Sequence, residues 1–126
     1  MKSSTVSFCS AVCFVIVGMI VGIIMAASGD HSVFPAHAHL NLVGWVSLFL
    51  IGIFYRLHPA LDASRVAMIQ VGIWICGTII LVCGVAAIYL GHPDLEPIAI
   101  AGSFIVLGDM LWFAYLVFRN ELSARG

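Results

Sequence analysis

Four long apolar runs divide the chain, at residues 6–27, 37–55, 66–90 and 98–118. Each is near the ~20 residues a helix needs to cross the hydrocarbon core of a bilayer. Turn-forming residues gather in the breaks between them: Gly29, Asp30 and Pro35 in the first, His58 and Pro59 in the second, Gly91, His92, Pro93 and Asp94 in the third. The pattern predicts an all-α membrane protein, a single domain over residues 1–126 built on four transmembrane helices. Connections this short join antiparallel neighbours, so the expected bundle runs up-down-up-down.

Composition points the same way. Hydrophobic residues make up 63% of the chain and charged residues 9%, where a soluble domain carries about 25% charged residues. Membrane lipid is therefore the expected partner. A net charge of −1 offers no basic footprint for nucleic acid. Lys2, Arg56, Arg65, Arg119 and Arg125 fall at the amino end, in the second break or in the carboxyl tail, while the first and third breaks hold Asp30, Asp94 and Glu96 instead. By the positive-inside rule both termini are expected in the cytoplasm, in a multi-pass protein of the cytoplasmic (inner) membrane. Lys2, the first run and Ala26, Ala27 and Ser28 faintly resemble a cleavable signal peptide. The run exceeds the ~7–15 residues of a signal core, so it is read as a retained helix.

Small residues mark helix contacts. Gly18 and Gly22 pair on the first run, and Gly77, Gly84 and Gly91 recur every seven residues along the third. Such residues let backbones approach where lipid supplies no hydrophobic drive, so a homo-oligomer is expected. Cys9, Cys13, Cys76 and Cys83 lie within apolar runs without zinc-site spacing and read as small hydrophobes.

The second run opens with the richest chemistry, Phe34-Pro35-Ala36-His37-Ala38-His39-Leu40-Asn41-Leu42-Val43-Gly44-Trp45. His37, Asn41, Gly44 and Ser47 share a stripe at helical spacing, which should face the protein interior. His39 stands about 200° around the helix from His37 and should point to a neighbouring helix or subunit. Imidazoles at such a boundary are ligands for heme iron, copper or zinc. His92 should lie at the depth of His37, and His31 is on the same side beside Asp30. His31, His37, His39 and His92 thus make a candidate set for copper or zinc. His58 belongs to the opposite end and reads as a turn residue. Asp109 falls mid-way along the fourth run, roughly 15 Å deeper than His37. With Ser47 and Thr78 at similar depth, it is either a proton relay or a protonated acid bonding a neighbouring helix. Trp45, Trp74 and Trp112 read as core packing or as flanks of a flat cofactor, and Tyr55, Tyr89 and Tyr115 as interfacial belts.

His37-Ala38-His39 followed by Gly44 and Trp45 resembles a helix of the NnrS family, heme- and copper-associated membrane proteins linked to nitric oxide metabolism. More loosely, it is similar to the heme-ligand helix of the heme–copper oxidases and nitric oxide reductases. The resemblance covers the second run only. It implies a small heme b-binding protein of electron-transfer or nitric-oxide- and oxygen-handling kind, with iron near the outer face and a redox partner. His37 would be the axial ligand, with His92 or His39 the other, from this chain or a second subunit. Asn41 and Gly44 would line the cofactor. This chain lacks the further histidines of a binuclear centre, so full oxidase chemistry is not implied. The outer side also lacks the Arg or Lys that membrane heme sites often pair with the propionates. Propionates there would rely on backbone N–H groups, water, Asn41 or a protonated His31. Three alternatives stand beside heme: a copper- or zinc-binding protein, a small transporter and an accessory subunit. The four-helix multidrug exporters carry an essential glutamate in helix one, where this chain has no acid.

Overall fold

A long apolar run leaves its backbone no polar partner but itself, and a helix pairs the interior N–H and C=O groups within one segment. The computed structural model describes residues 1–123 and contains helices but no strand among them. Helix α1 covers Ser3–Ser28, α2 Phe34–Leu57, α3 Arg65–Tyr89 and α4 Glu96–Ser123. All four are long and apolar enough to cross a membrane. Arg125, the last of the five basic residues, lies outside the described residues.

The helix ends follow local chemistry. Gly29 closes α1 in a left-handed conformation, φ 70°, and its N–H reaches the Met25 carbonyl at 3.0 Å. Helix α2 starts at Phe34, ahead of the expected residue 37, because Pro35 is accommodated in the first turn. The second break holds a one-turn helix, Pro59–Asp62, and then Ser64 caps α3 by accepting the Ala67 N–H at 3.1 Å. Gly91 turns the chain after α3 at φ 96°.

Helix α1 borrows its cap from the second break. Asp62, only 1% exposed, accepts the Ser4 N–H on Oδ1 and the Ser4 hydroxyl on Oδ2, both at 2.7 Å. The Ser3 hydroxyl donates to the Asp62 carbonyl at 3.1 Å, and Arg56 Nε donates to Ser4 Oγ at 3.0 Å. A carboxylate here also meets the positive end of the helix dipole.

Glycines set the helix contacts within the chain. A Cβ at Gly84 would fall on the backbone of Ala99, and one at Gly102 on the backbone of Leu81. Along α1 and α2, Gly52 receives Phe8, Gly44 receives Phe14, Gly22 receives the His37 ring and Gly18 receives the Asn41 amide. The glycine faces expected to support oligomerisation are thus occupied inside one chain, and Gly91 serves a turn rather than a packing face. Leu48, Ile51 and Tyr55 of α2 pack with Ala67, Val71 and Trp74 of α3 and Ala11 of α1. Tyr55 is fully buried in that core, not in an interfacial belt, because its hydroxyl finds a partner in Gln70. The four cysteines are free and exposed on the outside of the bundle.

Gly102→Val places a side chain where the Leu81 backbone already lies, and overpacking of this kind costs about 1–3 kcal/mol or more. Gly108 has nothing within 4 Å of an added Cβ, so Gly108→Ala should leave stability unchanged or slightly raised. Thermal unfolding of the two variants in detergent checks the contrast.

Candidate functional site

The helix that carries the histidines changes its winding partway. Phe34–His39 and Leu48–Leu57 are α-helical, while Leu40–Ser47 between them is a π-helix. A π-helix pairs residues five apart, is rare, and often accompanies function. Its wider turns leave carbonyls for other donors. Ser47 Oγ donates to the Leu42 carbonyl at 2.8 Å, and the indole of Trp74, from α3, donates to the Val43 carbonyl at 3.0 Å.

The wider winding also corrects the expected stripe. His37, Asn41 and Gly44 face α1, but Ser47 leaves them and lines a groove between α2 and α4 with Leu50, Phe54, Met110 and Phe113. Its hydroxyl is occupied by the Leu42 carbonyl, so it is no partner for Asp109.

His37 is half-buried. Its Cε1 would lie 3.1 Å from a Cβ on Gly22, so the absence of a side chain there makes room for the ring. Asn41 Nδ2 lies 3.2 Å from His37 Nε2 and 3.5 Å from Nδ1, donating to whichever nitrogen carries the lone pair. Asn41 Oδ1 has no partner and rests against Gly18. The ring borders an apolar groove of about 210 Å3 between α1, α2 and α3, lined with Val17, Val21, Leu40, Val82 and Ala86.

His39, also half-buried, is oriented differently. Its Nδ1 donates to the Pro35 carbonyl at 2.7 Å. That bond fixes the tautomer and leaves Nε2 with its lone pair available to a metal.

The other histidines stand apart. His31 is exposed, with Nδ1 on the Gly29 carbonyl at 3.1 Å. Beside it, the hydroxyl and N–H of Ser32 donate to Asp30 and hold its carboxyl below the usual carboxylate range. His92 is exposed in the third break. Among the described residues no three or more His, Cys, Asp or Glu side chains gather as a metal site. One chain therefore does not join His31, His37, His39 and His92. His58 bonds the Phe54 carbonyl at 2.8 Å and meets Glu121 at 3.2 Å.

Asp109 is 3% exposed, and its partner is Gln70 of α3, whose Nε2 donates to Oδ2 at 2.6 Å. Thr78 Oγ1 is buried without any partner. The expected grouping of Asp109 with Ser47 and Thr78 is replaced by Tyr55, Gln70 and Asp109. Gln70 was overlooked, although it is the one side-chain amide in the third apolar run.

This donor set suits heme iron better than a bare ion. Heme iron asks the protein for one or two axial ligands, whereas zinc sites need three or four. The groove beside His37 is smaller than the roughly 300–1,000 Å3 of an enclosing small-molecule pocket. A macrocycle seated there would meet this groove along one edge only.

Trp74→Phe should keep an aromatic ring in the core but leave the Val43 carbonyl short of a donor, at about 1–3 kcal/mol in addition to the cost of the smaller ring. Denaturation in detergent measures this loss, and an unchanged midpoint would mean the π-segment satisfies itself. Comparison of the chain with protein-family models, curated proteins and solved structures finds no match, so the functional reading rests on the site itself.

Proposed function

We propose that this chain is a small integral membrane protein that binds heme b for electron transfer or for handling nitric oxide or oxygen. The observation that carries the reading is His37, a half-buried imidazole bordering a wholly apolar groove where small residues of α1 give it room. The flat apolar body of a heme matches such a surface, and its propionates would rely on backbone N–H groups and water at the outer edge. His37 would supply the axial ligand through the lone pair that the Asn41 amide now faces. Asn41 would then orient the ring by turning Oδ1, which has no partner, to accept the other ring N–H. The heme supplies the redox chemistry when bound.

His39 extends the proposal to a homo-oligomer. With Nδ1 bonded to Pro35, its Nε2 is available to an iron held by a second copy, and that copy would also close the groove. His92 would serve as the second ligand in a monomeric site. Copper or zinc would require imidazoles from several copies, given the absence of a three-ligand group within the described residues.

The same proposal includes orientation. The helices run up-down-up-down with both termini in the cytoplasm of an inner-membrane protein. This is supported by basic residues at the amino end, in the second break and in the carboxyl tail, and by acidic residues alone in the first and third breaks. The His37 end of α2 then faces away from the cytoplasm, toward an extracytoplasmic redox partner.

Two measurements test this. Protein purified in mild detergent should show the intense near-ultraviolet band of a b-type heme. His37→Ala should remove it while His58→Ala leaves it intact, and full heme occupancy in His37→Ala would overturn the assignment. His39→Ala should lose heme together with the oligomer if the ligand is shared. For orientation, a reporter after Ser123 should be cytoplasmic and one within residues 94–96 extracytoplasmic. The reverse result would remove the topology.

A further inference from the structure

The buried polar chain at the other level of the bundle has no part in the heme reading. Tyr55 on α2 donates its hydroxyl to Gln70 Oε1 at 2.7 Å, and Gln70 Nε2 donates to Asp109 Oδ2 at 2.6 Å. Tyr55 and Gln70 are fully buried, and Asp109 nearly so. Asp109 Oδ1 is buried too, and nothing bonds it.

The bonds run in one direction through Gln70. Because the Gln70 oxygen is taken by Tyr55, its amide can only present N–H to Asp109. Oδ2 is therefore the accepting oxygen, and Oδ1 is the oxygen left to carry a proton. Among the described residues no cation balances the carboxylate. Arg56 on α2 is engaged by Ser4, Arg65 and Arg119 are exposed at the helix ends, and the one ion pair among the described residues joins His58 to Glu121. Tyr55 is the only titratable group that α2 and α3 bring to Asp109 through this chain. An uncompensated carboxylate in a spanning helix is costly, which favours the neutral acid. The donated Gln70 N–H favours the ionised form.

We propose that Asp109 is a proton-exchange site within the bundle, taking up and releasing a single proton at Oδ1 while Gln70, held by Tyr55, steadies Oδ2. The proton comes from and returns to water as hydronium, and no other bond changes. The chain does not carry the proton onward to Tyr55, because the Gln70 amide has no lone pair on nitrogen to accept it. Asp109 thus exchanges its own proton at Oδ1 without passing it through Gln70, independently of whether heme is bound.

The test uses the full chain in phosphatidylcholine vesicles treated with N,N′-dicyclohexylcarbodiimide, a hydrophobic reagent that attacks protonated carboxyls. The acid proton moves to a carbodiimide nitrogen as the carboxyl oxygen adds to carbon. Acyl transfer to nitrogen then leaves a stable N-acylurea, a mass gain of one carbodiimide. Peptide mass spectrometry should place the adduct on Asp109, with the rate falling about tenfold per pH unit beyond its midpoint. In parallel, the infrared carbonyl band of a protonated carboxyl should give way to carboxylate bands over the same range. Asp109→Asn should lose both signals, and Gln70→Leu should retain labelling to higher pH. A protonated band that never titrates would make Asp109 a fixed structural hydrogen bond and overturn the proposal. So would its absence at every pH, or adducts confined to Asp30, Asp62, Asp94, Glu96 or Glu121. The wild-type infrared result stands even if a variant fails to fold.

Discussion

A helix that crosses a membrane has no water along most of its length to accept a misplaced backbone hydrogen bond. Every departure from regular winding in this chain is therefore met by a particular donor. The π-segment at Leu40–Ser47 persists because Ser47 supplies a hydroxyl to Leu42 and Trp74 supplies an indole N–H to Val43. Through Trp74, the irregular winding on α2 is tied to α3. Through the changed phase of α2, it decides which residues face α1. The histidine region and the core packing are thus joined by a few backbone carbonyls.

The second determinant is closeness. Where apolar side chains gain little by leaving lipid for one another, contact depends on how nearly the backbones approach. Gly84 and Gly102 bring α3 and α4 together with essentially no side chain between them. Gly18 and Gly22 are used differently, since they admit a polar amide and an imidazole between α1 and α2. The same small residue therefore performs two tasks, backbone contact on one side of the bundle and a cradle for polar groups on the other.

Much of this architecture was legible before any coordinates. Four runs near the length of a spanning helix, punctuated by proline and glycine, leave little else for the chain to form. The two interior glycine pairs also announce close packing, although not that it is spent within the chain. The candidate site was less legible because ordinary helical spacing was assumed throughout α2. No residue between Leu40 and Ser47 declares a wider helix, and the donor that supports it, Trp74, is 31 positions away in the chain. Asp109 stands out as a lone acid in an apolar run. Its partner does not, because the hydroxyls of Ser47 and Thr78 lie at similar depth and Gln70 reaches Asp109 only through its longer side chain. The free nitrogen of His39 depends on a bond to Pro35 that only the built turn displays.

The carboxylate of Asp62 has a consequence for the order in which the chain takes shape. Its bond to the Ser4 N–H spans 58 positions, so the first turn of α1 lacks its side-chain cap while α1 is alone. As the chain is synthesised, that turn stays short of its partner until α2 and the following break have emerged. Completion of the first helix is thereby deferred to the formation of the α1–α2 hairpin. Every residue of the latch, Ser3, Ser4, Arg56 and Asp62, precedes α3. The amino-terminal half therefore carries its own closing step, in place to receive α3 and α4 when they arrive.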